Sequence, residues 1–88
     1  MTKKVIMPLL GETMEEGRII KWLKNTGEQV AKGEPLLEVE SDKAILEVES
    51  FFAGYLRKIL HGEDAEVKVG EVIALMTTTP DEPISDYQ

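Results

Sequence analysis

The chain has 88 residues, a mass of 9.8 kDa and 42% hydrophobic residues, enough for one small domain, and it contains no apolar run of the roughly 18 residues that cross a bilayer as a helix. Seventeen acidic against ten basic side chains give a formal charge of -7, which would repel phosphate backbones and argues against nucleic-acid binding. Because the sequence has no cysteine and a single histidine, it excludes disulfides, a thiolate nucleophile and a three-ligand zinc site, so we predict no metal-binding residues.

The first residues combine two lysines, Lys3 and Lys4, with a short apolar stretch that ends at Pro8. This stretch is shorter than the apolar region of a secretory signal peptide. The sequence therefore predicts a cytoplasmic protein, or one of the mitochondrial matrix if the source is eukaryotic.

Between residues 3 and 76, glycine or proline recurs every few residues, and the segments between them are too short for typical helices. The best helical candidate, 55–60, has apolar residues at helical spacing but is confined to less than two turns by Gly54 and Gly62. Short strands are therefore the expected elements.

An internal repeat appears when the sequence is shifted by about 37 residues onto itself. The identical pairs are Gly17 with Gly54, Lys21 with Lys58, Leu23 with Leu60, Val30 with Val67, Gly33 with Gly70, and Glu34 with Glu71. The segment 19–23 is β-branched and aromatic, which favours a strand, and its partner 56–60 should then be a strand as well. In the same frame Trp22 matches Ile59, which places it at the edge of the core, and His61 matches Lys24, which indicates a solvated turn residue.

The repeat predicts an all-β fold in two similar halves. Two four-stranded antiparallel sheets packed face to face would form a flattened barrel with an internal quasi-two-fold repeat and one buried apolar layer.

The segment Pro35 to Ser50 predicts a β-hairpin, because two alternating stretches flank the polar residues 41–43. With Asp42 and Lys43 as the turn, Ser41 opposes Ala44, and one face is apolar. Val39 then opposes Leu46, Leu37 opposes Val48, and the other face takes Glu38, Glu40, Glu47 and Glu49. A one-residue slip would drive glutamates into the core, so the register places Lys43 at the hairpin tip.

The last residues are rich in proline, threonine and acids and have few large apolar groups. We predict one folded domain over residues 1–78 and a flexible linker over residues 79–88. Such an exit is typical of a module tethered to a larger protein.

The segment Glu40-Ser41-Asp42-Lys43-Ala44 resembles the lipoyl-lysine motif of the dihydrolipoamide acyltransferases of 2-oxo acid dehydrogenase complexes. Residues 7–11 and 14–17 resemble the opening strand and loop of that family, and the resemblance covers about residues 3 to 78. It implies lipoate in amide linkage on Lys43, with Asp42 and Ala44 positioning the lysine. Ser41 stands where many members have threonine.

The resemblance also implies a swinging-arm carrier that is not an enzyme by itself and has no catalytic residues of its own. In that family a lipoate-attaching enzyme first installs the arm, and a thiamine-dependent 2-oxo acid decarboxylase then acylates it. An acyltransferase catalytic domain passes the acyl group to coenzyme A, and dihydrolipoamide dehydrogenase reoxidises the arm. The loop 9–16 would lie near the modified turn and help to select the decarboxylase, or would only connect strands with Met14 in the core. Residues 7–8 and 13–17 favour an acetyltransferase that acts after pyruvate or acetoin decarboxylation.

Three other functions are compatible with part of the sequence. A biotin carboxyl carrier domain also presents a hairpin-tip lysine, but its lysine is typically flanked by methionines. An acid/base enzyme using Glu38, Glu47 and His61 would need a concave site, which a domain of this size has little volume to form. An interaction module without a cofactor is the third alternative.

Overall fold

The computed structural model describes residues 2–41 and 44–84, and within them the chain forms strands and turns only. The strands are β1 (Thr2–Ile6), β2 (Glu16–Trp22), β3 (Gln29–Val30), β4 (Pro35–Glu40), β5 (Ile45–Glu49), β6 (Gly54–Ile59), β7 (Glu66–Lys68) and β8 (Val72–Thr77). The alternative of a helix at 55–60 is wrong, because this segment is β6. Nothing in the described part of the chain has the helical length and apolarity needed to cross a membrane.

The strands form two four-stranded antiparallel sheets, which confirms the predicted fold class. Sheet A has the order β1-β8-β6-β3 and sheet B the order β5-β4-β2-β7. Neither sheet consists of the first four strands of the chain alone or of the last four alone. Each sheet instead takes two strands from each half, so the two halves interleave.

The internal repeat is visible in the strands and in the hydrogen bonds. A shift of 37 residues carries the bounds of β4 onto those of β8 and places β2 on β6 and β3 on β7. The turn after each half's long strand is held alike: the Gly27 N–H donates to the Leu56 carbonyl at 2.7 Å, and the Asp64 N–H donates to the Ile19 carbonyl at 2.7 Å. Each half therefore ties its turn to the equivalent strand of the other half.

The core lies between the sheets and is formed by the inward side chains of both. Its fully buried members include Ile19, Leu37, Val39, Leu56, Ile73 and Met76. Trp22 is half-buried against this core, as predicted, and its indole N–H donates to the His61 carbonyl at 2.9 Å. His61 itself is half-buried and lies 3.2 Å from a Glu71 carboxylate oxygen, so it is less solvated than a free turn residue.

The chain leaves the domain at the end opposite the β4–β5 hairpin tip. Thr78, directly after β8, lines a cavity with Glu34, which precedes β4. The hairpin tip follows Glu40 at the other end of β4, about 20 Å away for a strand of six residues. The Thr77 hydroxyl donates to the Thr79 carbonyl, so the first residues after β8 turn back onto the domain. The division into residues 1–78 and 79–88 remains a prediction.

Candidate functional site

The hairpin formed by β4 and β5 has the predicted register. Val39 pairs with Leu46, Leu37 with Val48 and Glu38 with Glu47. Leu37, Val39 and Val48 are buried, whereas the glutamates of both strands lie on the solvent side. The alternation of apolar and acidic residues therefore fixes which residues lie at the hairpin tip.

Ser41 and Ala44 close the hairpin on either side of residues 42 and 43. The backbone N–H of Ser41 donates to the Ala44 carbonyl at 2.8 Å, and the Ser41 hydroxyl donates to the same oxygen at 3.0 Å. Ala44, one of the two predicted positioning residues, is exposed. The predicted attachment residue Lys43 and the other positioning residue, Asp42, lie outside the described residues.

The loop between β1 and β2 lies beside this tip. Residues 10–14 of the loop form one side of a groove of about 490 Å³, and Ser41, Ala44 and Leu46 form the other. The sequence left two interpretations of this loop open, proximity to the hairpin tip or a plain connection with Met14 in the core. The structure shows both features, because Met14 is only 6% exposed.

Met14 holds the loop in place from inside. Its thioether sulfur accepts the backbone N–H of Leu10 at 3.4 Å, and its own N–H donates to the Gly11 carbonyl at 3.1 Å. Met7 and Gly17 lie directly below, since a Cβ on Gly17 would be 2.6 Å from Met14 Cε and 3.1 Å from Met7 Sδ. The loop is thus anchored to the core while residues 11–13 stay exposed next to the tip.

A family model described as "Biotin-requiring enzyme", covering proteins with biotin- and lipoyl-bearing domains, matches residues 3–76. The chain belongs to the biotin and lipoyl domain family.

Its relatives identify it as a lipoyl domain. It is 47% identical over 77 residues to the dihydrolipoyllysine-residue acetyltransferase component 4 of the chloroplastic pyruvate dehydrogenase complex of Arabidopsis thaliana, covering 88% of this chain and 16% of that protein. It is 48% identical over 77 residues to the acetyltransferase component of the pyruvate dehydrogenase complex of Zymomonas mobilis, covering 86% of this chain and 18% of that protein.

A solved structure agrees. The lipoyl domain of the 2-oxoglutarate dehydrogenase complex from Azotobacter vinelandii superimposes with a TM-score of 0.69 at 28% identity, covering 84% of this chain and 94% of that domain. The chain therefore spans less than a fifth of the full-length relatives and nearly all of an isolated lipoyl domain. It is a carrier module, and lipoyl domains of this family carry lipoate covalently on a lysine.

The outer surface of the lipoyl domain around the hairpin is acidic, and cations on a neighbouring strand partly compensate its negative charge. Glu38 and Glu47 lie directly opposite each other, a like-charge pair that disfavours this register slightly. Lys21 on β2 is the other register neighbour of Glu38, and Arg18 pairs with Glu40 at 3.1 Å. The predicted like-charge pair is therefore present, with cations on the adjoining strand.

Two contacts at the site of this lipoyl domain were missing from the sequence-based interpretation. One is the Ser41 hydroxyl that reinforces the closing hydrogen bond, and the other is the Met14 sulfur that accepts from Leu10. A serine before an Asp-containing turn signals a local side-chain hydrogen bond. No comparable signal in the sequence marks the contact of Met14.

Proposed function

We propose that Lys43 is the lysine of this domain that carries lipoate, in amide linkage, and that the domain moves acyl groups and reducing equivalents between separate active sites. The observation that carries the proposal is the closure of the β4–β5 hairpin by Ser41 and Ala44, which have only Asp42 and Lys43 between them in the sequence. In the acyltransferase family that the sequence resembles, the lipoyl-bearing lysine lies in an Asp-Lys-Ala motif, and residues 42–44 of this chain have that sequence.

The surroundings of the tip fit such a group. Ala44 is exposed and small, and a Cβ added at Gly11 on the facing loop would meet no atom of the described residues within 4 Å. Ser41, on the other strand of the hairpin, fixes the backbone through its two hydrogen bonds to the Ala44 carbonyl. These residues leave space for a modifying enzyme and for an extended side chain, while the strands hold the backbone on both sides.

The chemistry is divided between the chain and the group it carries. Lipoate supplies a dithiolane, whose sulfurs perform the acyl and electron transfer that a chain without cysteine cannot. Condensation of the lysine Nζ with the lipoate carboxyl group would form the amide with net loss of water and would remove the ammonium charge. The four-carbon stem of Lys43 lengthens the arm, and Asp42 and Ala44 position it.

We propose a dihydrolipoyllysine-residue acetyltransferase as the parent chain, in a complex that acts on pyruvate or acetoin. The partners are a thiamine-dependent 2-oxo acid decarboxylase, the acyltransferase catalytic domain, dihydrolipoamide dehydrogenase and the lipoate-attaching enzyme. Residues 79–88 begin the tether to the rest of that chain, which would keep the arm at a high effective concentration near each site. The proposed location is the cytoplasm, or the mitochondrial matrix in a eukaryote.

Intact-mass spectrometry of the chain produced with lipoate and biotin both supplied tests the assignment. We expect one lipoyl adduct on the wild-type chain and none on Lys43→Ala. Lys32→Ala is the matched control, because Lys32 is an exposed lysine in a turn of the described chain, and it should keep the adduct.

A biotin adduct on the wild-type chain would overturn the proposal in favour of a biotin carrier. A lipoyl adduct that persists on Lys43→Ala would move the attachment to another lysine. Circular dichroism of both variants confirms that loss of the adduct does not reflect loss of the fold.

A further inference from the structure

The two sheets of this domain carry opposite charge. The strands of sheet A contain four cationic side chains and no carboxylate; these are Lys3, Lys4, Arg57 and Lys58. The strands of sheet B contain six carboxylates and three cations; these are Glu16, Glu38, Glu40, Glu47, Glu49 and Glu66 with Arg18, Lys21 and Lys68. In a chain of net charge -7, the strands of sheet A thus have a net positive charge, which is divided between the two faces because Lys3 and Lys4 are consecutive residues of β1.

The chain leaves the domain from this basic sheet, at the end of β8, as the exit segment 78–84. It carries two adjacent carboxylates, Asp81 and Glu82. An acidic, proline-containing segment that emerges beside a basic sheet has complementary charge at short range, where screening by salt is weakest.

A hydrogen-bonded network attaches the exit segment to sheet A. Arg57 Nη1 donates to the Thr77 hydroxyl oxygen at 3.1 Å, and that hydroxyl donates to the Thr79 carbonyl at 2.6 Å. The same guanidinium nitrogen donates to the Glu82 carbonyl. Thr77 is fully buried, so the anchor of the network belongs to the rigid part of the domain.

We propose that sheet A is a binding surface for an acidic extended segment, and that its occupant is the chain's own exit segment, docked through Arg57 and Thr77. The positive charge of Arg57 strengthens both hydrogen bonds to neutral oxygens, and the two N–H groups of Nη1 have fixed directions in the guanidinium plane. The tether then gains its freedom only beyond the docked residues, and it leaves from the end of the molecule opposite the hairpin tip. The proposal does not depend on the modification of Lys43.

Backbone ¹⁵N relaxation on the whole chain tests the docking. Pro80 and Pro83 have no amide, so Thr79, Asp81 and Glu82 are the reporters. In the wild-type chain at low salt we expect order parameters of about 0.85 at these residues, as in β8, and a decrease in about 1 M salt, where charges are screened within a few ångströms. Values below about 0.6 at low salt would overturn the proposal.

Variants separate the network from general charge effects. Arg57→Gln and Thr77→Val should each lower the order parameters of the three reporters to below about 0.6, with the strands unchanged. Arg57→Lys should give intermediate values, since it keeps the charge but loses the fixed planar directions of the two Nη1 N–H groups. Arg18→Gln removes a cation from sheet B and is the matched control that should change nothing at the reporters.

An unchanged exit segment in both Arg57→Gln and Thr77→Val would refute the docking. Thr77→Val keeps the β-branched shape and removes the hydroxyl, so it tests the network even if Arg57→Gln disturbs β6.

Discussion

The ammonium of Lys24 lies 2.8 Å from a carboxylate oxygen of Glu34, and the internal repeat carries this pair onto His61 and Glu71, which lie 3.2 Å apart. In each half the pair links the turn after the long strand to the turn before the last strand of that half. The Glu34 pKa is lowered, first by the backbone N–H of Ala31, which donates to its Oε1 at 2.9 Å, and then by Lys24. The hydrogen bond that Lys24 donates to Glu34 raises the Lys24 pKa, against a smaller, opposing effect of burial.

Glu34→Gln should therefore destabilise the domain at neutral pH and not at acidic pH. A carboxyl whose pKa is lower in the folded state contributes stability above its unfolded pKa, and this contribution is lost as the pH falls through the folded value. Urea unfolding at pH 7 and at successively lower pH should show the wild-type and variant free energies converging below about pH 4. Glu63→Gln, at an exposed position, is the control that should show no such convergence. A pH-independent difference for Glu34→Gln would contradict the assignment.

Gly54→Ala should destabilise the domain more than Gly17→Ala, although the two glycines are equivalent in the repeat. A Cβ at Gly54 would lie 2.3 Å from the Thr77 carbonyl oxygen, which belongs to the backbone of β8. At Gly17 the nearest atoms belong to the side chains of Met14 and Val39, and the Met14 side chain can move. We expect a loss of about 3 kcal/mol or more for Gly54→Ala and about 1–2 kcal/mol for Gly17→Ala in urea unfolding.

Gly11→Ala serves as the control for this pair, because a Cβ there meets no atom within 4 Å among residues 2–41 and 44–84. Its free energy of unfolding should stay within about 0.5 kcal/mol of wild type. Equal losses at positions 17 and 54 would show that β8 tolerates a shift of its backbone.

Asp64→Gly should raise the stability of the domain. Asp64 has a positive φ of 70°, and its repeat equivalent is Gly27, with a φ of 95°. Because this left-handed conformation is strained for most residues with a Cβ, we expect a gain of up to about 1 kcal/mol at position 64 and a loss of about 1 kcal/mol for Gly27→Ala. Gly62→Ala in the same turn as Asp64 is the control, and thermal or urea unfolding is the measurement. A loss on Asp64→Gly would mean that its side chain contributes more than the backbone strain costs.

Ser41→Val should loosen the hairpin tip and slow lipoylation, whereas Ser41→Thr should not. Valine lacks the hydroxyl that donates to Ala44, while threonine keeps it with the same branching. The hydrogen bond is exposed, so the expected loss of stability is only about 0.5 kcal/mol. Initial rates of modification by a lipoate-attaching enzyme should fall several-fold for valine alone. Equal rates for the two variants would show that the side-chain hydroxyl at position 41 has no effect on the rate of modification.

The hairpin was predictable because its two faces differ so strongly in polarity. A shift of one residue would exchange Leu37 and Val39 for Glu38 and Glu40, so the sequence admits a single register. The repeat was also predictable, because the equivalent strands β4 and β8 occupy corresponding positions in the two halves of the sequence.

The pairing of strands between halves was not predictable, because alternation shows which side of a strand is buried and not which strand lies next to it. β8 lies between β1 and β6, at the centre of sheet A, and this arrangement depends on contacts distant in sequence. Strict alternation would also place Leu36 outside. It is fully buried, because an irregularity in the β4–β5 pairing between Pro35 and Leu37 turns it inward.

The interleaving of the halves makes each half depend on the other. β2 and β4 of one half are neighbours, but β1 and β3 of the same half are separated by strands of the other. A polypeptide comprising one half would leave these strands without partners, whereas two copies related by a two-fold axis could build both sheets. The two halves thus exchange strands about a quasi-two-fold axis, the arrangement that two identical half-length subunits would have in a symmetric homodimer.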